Sequence, residues 1–280
     1  MSWNFDSIPK YVINLDKRKD RWQQFESVPG REELHNLRRW PAIDGKTINL
    51  DTDTNVALFT KYNIIRGTRR SHKELNSKGG VGCYLSHVGV WRDFLENPEH
   101  AESPVALVLE DDTIMDSVAI SRINVFINSS SVIQNSELWD ICILGAYPGH
   151  IKHEVLYQDD PNCIRLMEFQ GMTGYLITKK GITKILPLAL PVQGHIDWFL
   201  SICAQLQHID LCCPLQSLIG IRISKTDIHK TISCDICDLE PDFIKDKTVI
   251  SNTRLRMFLL EEFFLVVVTA FFISKKYMKS

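Results

Sequence analysis

The feature that most limits how this 280-residue chain can fold is the run Pro104-Val105-Ala106-Leu107-Val108-Leu109, stopped at once by Glu110-Asp111-Asp112. A short run that is apolar on both parities reads as a central strand covered on both faces. The three acids then mark its carboxyl end, the sheet edge at which open α/β folds bind ligands. Similar runs recur at Trp139-Asp140-Ile141-Cys142-Ile143-Leu144, closed by Gly145, and at Gly174-Tyr175-Leu176-Ile177-Thr178. Near the amino terminus, Tyr11-Val12-Ile13-Asn14-Leu15 reads as a strand. It passes through the charged loop Asp16 to Arg21 into a helix containing Trp22 and Phe25.

Pro41-Ala42-Ile43-Asp44-Gly45 reads as a second short strand ending in an Asp-Gly turn, whereas Thr47 to Ser77 is polar and poorly periodic. From Gly79 the apolar spacing through Leu95 predicts a helix with a broad apolar face, ended by Pro98. Helices are also predicted from Gly181 to Leu190 and from His195 to Gln207, with strand or irregular structure from Leu211 to Ile223. Strands alternating with helices predict an α/β sandwich.

Composition narrows the function classes. At 44% hydrophobic and 24% charged residues the chain is globular rather than disordered. A formal net charge of -2 supplies no basic field of the kind that draws proteins to nucleic acid. Of the eight cysteines, Cys83, Cys142 and Cys203 sit inside apolar runs as small hydrophobes, which predicts a reducing compartment. Met1 to Lys10 has no secretory apolar region, so the catalytic part is expected in the cytosol.

Met257 to Ile273 is strongly apolar and is followed by Lys275, Lys276 and Lys279. Glu261 and Glu262 shorten its uncharged part to Phe263–Ser274, below the roughly 20 residues of a membrane span. A terminal helix docked on the domain, an interfacial helix with its lysines toward anionic lipid, and a span remain the three readings, and membrane association of some kind is expected. The chain is thus divided into a catalytic domain, 1–250, and a hydrophobic helix with a basic tail, 251–280.

Three adjacent acids repel one another, and a divalent cation relieves that repulsion. Oxygen ligands suit magnesium or manganese, whose remaining positions are commonly filled by water and phosphate oxygens, so the triplet outlines a nucleotide-diphosphate site. The competing reading is a solvated acidic turn. In Gly194-His195-Ile196-Asp197-Trp198 a carboxylate stands beside an aromatic ring. Asp197 is a candidate general base with the ring supporting a sugar face, or else it caps the helix that follows.

Four segments, VINLDKRKDRW from Val12, GCYLSHVGVWRDFLE from Gly82, LVLEDDT from Leu107 and GYLITKKGITKIL from Gly174, resemble glycosyltransferase family 25 in order and spacing. The resemblance covers roughly Pro9 to Asp227. It implies a GT-A type, Rossmann-like sandwich with a mostly parallel sheet, a UDP-sugar donor, and a metal, Mn2+ or Mg2+, held by a DxD-like acidic motif. Asp112 matches the last position of that motif and is the first candidate ligand, assisted by Glu110 and Asp111 through ribose or water. Asn14 to Arg21 would lie where the donor nucleotide enters, with Arg18 or Arg21 pairing with phosphate or stacking beside the base. Asp44 and Gly45 match a short family motif near the donor, and equally an ordinary turn. Ser86 and His87 precede the acidic strand, where the histidine contacts donor or acceptor or is structural.

The resemblance also implies a further metal ligand near the domain's end, for which His229 is the candidate, although the Ser224-Lys225-Thr226-Asp227 segment carries an insertion. Cys234-Asp235-Ile236-Cys237 lacks the second pair that a zinc site needs. The function expected is inverting transfer of a hexose, galactose or glucose, from a UDP-sugar to a glycan, glycolipid or glycoprotein. Two alternatives are a non-catalytic relative that binds nucleotide-sugar or protein, and a metal-dependent nucleotidyltransferase, which would want a glycine-rich phosphate loop near the amino terminus.

Overall fold

A computed structural model of the chain describes residues 3–146, 152–157 and 160–222. They belong to one compact unit, Met1–Ile232. His229, the Cys234 and Cys237 pair and the predicted hydrophobic helix at 251–280 lie outside the described residues. Among the described residues, no helix is long and apolar enough to cross a membrane.

The strands are β1 (Lys10–Asn14), β2 (Leu37–Pro41), β3 (Val105–Glu110), β4 (Thr113–Ile114), β5 (Ile141–Gly145), β6 (Lys152–Tyr157), β7 (Asp160–Glu168), β8 (Gly174–Thr178), β9 (Leu211–Pro214) and β10 (Gly220–Ile221). The helices are α1 (Lys19–Glu26), α2 (Leu58–Arg66), α3 (Lys78–Glu96), α4 (Ser117–Ser129), α5 (Ser131–Gln134), α6 (Lys179–Ile185) and α7 (Ile196–Gln205). Eight strands form one sheet in the order β2-β1-β3-β8-β5-β9-β7-β6, and β10 pairs with β4 beside it. β8 and β7 pair antiparallel with both their neighbours, so the other six of the eight strands point the same way. The sheet is therefore mostly parallel in direction, as a Rossmann-like sandwich requires, while its individual pairings are mixed.

β3 explains why its run is apolar on both parities. Ala106 and Val108 enter one hydrophobic cluster with Val81, Val88 and Trp91 of α3, and with Ile182 of α6 and Leu200 of α7. Val105, Leu107 and Leu109 enter the other cluster, with Phe25 of α1 and Ile120, Ile123 and Phe126 of α4. Successive side chains of a strand point to opposite faces, so a strand between two helical layers must be apolar throughout. The charged residue in the Trp139 to Leu144 run is also accounted for. Asp140 is fully buried, accepts from Lys184 Nζ at 2.6 Å and from the Asp210 amide at 2.8 Å, and its carbonyl takes the Thr178 amide at 3.0 Å.

Some elements differ from the sequence reading. The second strand is Leu37–Pro41 rather than 41–45, because this edge strand carries Arg38 and Arg39 on a half-exposed surface that breaks the apolar pattern. Asp44 instead caps a 3-10 turn at Gly45–Thr47, accepting the Lys46 amide at 3.0 Å. The segment from Thr47 to Ser77 contains α2, whose outward face is apolar and so lacks helical amphipathicity. The helix predicted to reach Leu190 ends at Ile185, where Leu186–Leu188 tightens into a 3-10 turn around Pro187.

The glycine-rich start of α3 serves close packing. A Cβ on Gly82 would stand 2.4 Å from the Ile43 carbonyl oxygen, and one on Gly45 would stand 2.2 Å from the Lys78 carbonyl oxygen. Ser86 completes this junction, accepting from the Ile43 amide at 2.8 Å and donating to the Gly82 carbonyl at 2.6 Å. Gly82→Ala should therefore lower stability by about 1–3 kcal/mol in urea unfolding, since overpacked backbone cannot swing aside. Gly89→Ala, whose nearest neighbour is a movable Trp40 ring atom at 3.2 Å, should cost less. Equal midpoints for the two variants would refute the junction.

Candidate active site

Strand alternation decides what the acidic triplet can do. Glu110 continues the parity of Ala106 and Val108 and points toward α3, whereas Asp111 continues that of Leu107 and Leu109 and points toward α1. Asp111 is 5% exposed. Its Oδ2 accepts from Asn14 Nδ2 at 2.7 Å, and its Oδ1 accepts from Arg21 Nη1 at 2.8 Å. The charge relief expected of a cation is thus given to Asp111 by the chain itself. Burial still lifts its carboxyl above the ordinary value, against the pull of Asn14 and Arg21.

Asp112 has a different environment. Its side chain is 15% exposed and its Oδ2 lies 3.5 Å from Arg21 Nη1, while its Oδ1 is buried with no hydrogen-bond partner. Burial, and then the charge of Glu110, push its carboxyl up to about 7. A buried carboxylate oxygen left without a donor is costly, and a hard divalent cation is the partner that fits it. The triplet is therefore no solvated turn, and Asp112 rather than all three acids fits a metal.

Glu110 is held from behind by α3. Cys83 Sγ lies 3.9 Å and His87 Nε2 3.3 Å from Glu110 Oε1, and His87 Nδ1 lies 3.0 Å from Tyr175 Oη. Trp91 Nε1 donates to the same hydroxyl at 2.9 Å. An indole nitrogen can only donate, so Tyr175 Oη accepts there and directs its own proton to His87 Nδ1. The histidine then carries its proton on Nε2, toward the carboxylate. Among the described residues, Cys83, His87 and Glu110 bring metal-binding donor atoms within 4.8 Å of one another. In this arrangement Cys83 Sγ and His87 Nε2 both lie against Glu110 Oε1 and brace that carboxylate from α3.

A cleft of about 250 Å³ opens beyond Glu110, lined by Cys83, Phe169, Met172, Asp197 and Trp198, with Arg69, His72 and Lys73 also on its wall. Asp197 does not cap α7, whose N-cap is His195 without a side-chain bond; it lies in the first turn, where its Oδ1 accepts from the amide of the next residue, Trp198, at 2.8 Å. Its Oδ2 accepts from the Gly171 amide at 2.9 Å, which ties α7 to the loop before β8. The carboxyl also faces the cleft, and burial raises its pKa. The helix-cap expectation is therefore corrected, and the carboxyl on the cleft wall is the reading that remains. Gly194 brings the Trp198 ring onto the backbone, since a Cβ there would stand 2.3 Å from the ring.

A second concavity, of about 500 Å³, is lined by Asn14, Asp16, Lys19, Trp22, Gln23 and Arg39. Asn14 links the two regions, because its Nδ2 reaches Asp111 and Arg18 O while its Oδ1 accepts from Arg39 Nε at 2.8 Å. Arg18 pairs with Asp20 at 2.9 Å, and Asp44 pairs with Lys17 at 2.8 Å. Ser86 and Gly45 lie in the α3 junction rather than on a cleft, and His87 reaches the cleft only through Glu110. Sequence reasoning missed Cys83, Tyr175, Trp91 and Arg39. The i, i+4, i+8 spacing of Cys83 and Trp91 about His87 was the available signal for two of them.

Comparison with known proteins identifies the family. The model of glycosyltransferase family 25 (LPS biosynthesis protein) matches residues 7–200. A glycosyltransferase 25 family member of Drosophila pseudoobscura pseudoobscura is 25% identical over 197 residues, covering 69% of this chain and 29% of that protein. Procollagen galactosyltransferase 1-B of Xenopus laevis is 23% identical over 185 residues, 65% of this chain and 28% of that protein. Probable inactive glycosyltransferase 25 family member 3 of Bos taurus is 23% identical over 184 residues, 65% of this chain and 29% of that protein. The chain spans less than a third of the length of these relatives. With the family model matching well over half of its residues across β1, α3, the acidic strand and β8, the chain belongs to glycosyltransferase family 25.

Proposed function

We propose that this chain is a metal-dependent, inverting glycosyltransferase that moves a hexose, galactose or glucose, from a UDP-sugar to a glycan, glycolipid or glycoprotein acceptor. The observation that carries the reading is the buried, unpartnered Asp112 Oδ1 at the carboxyl end of the central strand, with a cleft at Glu110 and a concavity at Asn14, the partner of Asp111. Asp112 is the residue that would hold Mn2+ or Mg2+. The bound ion supplies Lewis-acid stabilisation of the charge that develops on the departing diphosphate. Arg21, fixed between Asp111 and Asp112, adds a permanent positive charge beside that position. The concavity at Asn14, Trp22 and Arg39 takes the nucleotide, with the Arg39 guanidinium, held 5.6 Å from the Trp22 ring centroid, on its wall.

The cleft at Asp197 and Trp198 takes the acceptor. Asp197 is pinned by two backbone amides yet keeps lone pairs for an acceptor hydroxyl. As the hydroxyl oxygen attacks the anomeric carbon, Asp197 takes its proton, and the sugar–phosphate bond breaks with its electron pair leaving on UDP. Attack opposite the leaving group inverts the configuration. Glu110, oriented by His87, keeps its carboxylate facing the same cleft. The six cysteines among the described residues are free thiols, which supports a reducing compartment.

A non-catalytic reading is favoured by one observation, the equal 23% identity to a procollagen galactosyltransferase and to a probable inactive relative. A donor screen that follows manganese-dependent UDP release, with and without acceptors, separates the two. Release that chelation abolishes supports transfer, and no release with any donor supports binding alone. Asp112→Asn should lower turnover at least about 100-fold while the urea midpoint stays within about 1 kcal/mol of wild type or rises. An active variant removes Asp112 from the metal site.

Asp197→Ala should lower turnover about 10²–10⁴-fold. The raised pKa of Asp197 also has a sign: a base works only when deprotonated, so activity should fall on the acid side at a pH above the ordinary carboxylate range. That acid limb should vanish in the Asp197→Ala residual activity. An unshifted limb in the variant would assign it to another group.

A further inference from the structure

Helix α2 presents the wrong surface to water. It buries Thr60, Asn63 and Ile64, yet leaves Leu58 84%, Ile65 71%, Tyr62 55% and Phe59 42% exposed. At 100° per residue these four side chains fall within an arc of about 120°. The outward face of a helix in a water-soluble layer is ordinarily polar, so a continuous bulky apolar arc marks a contact surface.

The same segment concentrates positive charge. From Leu58 to Lys73 the sequence holds Lys61, Arg66, Arg69, Arg70 and Lys73 and no Asp or Glu. Five positive charges therefore sit in sixteen residues of a chain whose formal net charge is -2, leaving -7 for the remainder (-2 - 5). Charge and apolar arc are interleaved, for the Arg66 guanidinium lies 5.7 Å from the Tyr62 ring centroid and that of Arg70 lies 4.8 Å from the Phe59 ring. Apolar side chains flanked by Lys and Arg are the chemistry that inserts between acyl chains while pairing with anionic headgroups.

We propose that α2 and the basic segment after it form a docking face for an anionic lipid surface. The segment that leaves α2 also supplies Arg69, His72 and Lys73 to the wall of the cleft that holds Glu110 and Asp197, so docking brings that cleft to the bilayer. This docking stands apart from residues 257–273 and from the transfer chemistry, and it is read without either.

The test is co-sedimentation of the full chain with phosphatidylcholine vesicles, with and without 30% phosphatidylserine, at low and high salt. Binding should require phosphatidylserine and weaken as salt rises. Leu58→Gln/Ile65→Gln should reduce vesicle binding at least tenfold, and Arg66→Gln/Arg70→Gln about 30-fold. Both pairs are on the exposed face and should retain the wild-type urea midpoint, which checks folding. Absence of binding by wild type, equal binding to neutral vesicles, or wild-type affinity in both folded variants overturns the proposal. So does light scattering that shows a dimer which either variant dissociates, since the face would then belong to a second copy.

Discussion

The Asp111 carboxylate, buried at the end of β3 and shared between Asn14 of β1 and Arg21 of α1, is the interaction on which the site depends. A buried carboxylate is tolerated only when it is paired and hydrogen-bonded, and removal of either donor would leave a charge that solvent does not reach. The pairing fixes three elements at one point: the ends of two adjacent parallel strands and the first turn of the helix that follows β1. It also spends the positive charge of Arg21 on the triplet. Of three adjacent acids, one is neutralised, one is braced and one is left with an unpartnered oxygen.

The division follows from the pleat. Because consecutive strand residues alternate between faces, Glu110 and Asp111 cannot converge on one ion. Glu110 turns to α3, where a chain of hydrogen bonds from Trp91 through Tyr175 and His87 orients it, while Asp111 turns to α1. Asp112 lies beyond the strand and escapes the alternation. The brace behind Glu110 requires α3 to sit close to the Ile43–Gly45 backbone. The glycines at the start of α3 and the Ser86 hydroxyl provide that approach, so this glycine-rich helix start is a packing device.

Membership of family 25 gives the scaffold and leaves the chemistry to particular side chains, because folds host sites rather than dictate them. The relatives include a galactosyltransferase and a probable inactive protein at equal identity, so identity alone does not separate a transferase from a binding relative. In this chain Asp197 lines the cleft beside Glu110, and Asp112 keeps a buried oxygen without a hydrogen-bond partner.

By itself the sequence determined the central strand with its acids, the long α3 helix, the strand and helix around Tyr11 to Phe25, and α7 after Gly194. Each is written in local periodicity or in residue types that tolerate few alternatives. The edge strand Leu37–Pro41 and helix α2 were not legible, because an arginine-bearing edge and an outward apolar face violate the patterns that periodicity reads. Nor could adjacency in the chain show that Asp111 is neutralised by residues about 90 positions away. Partners across such separations are chosen when parallel strands align and helices close over them. Only the tertiary structure therefore decided which acid is paired, which is braced by His87, and which is left with an unpartnered oxygen.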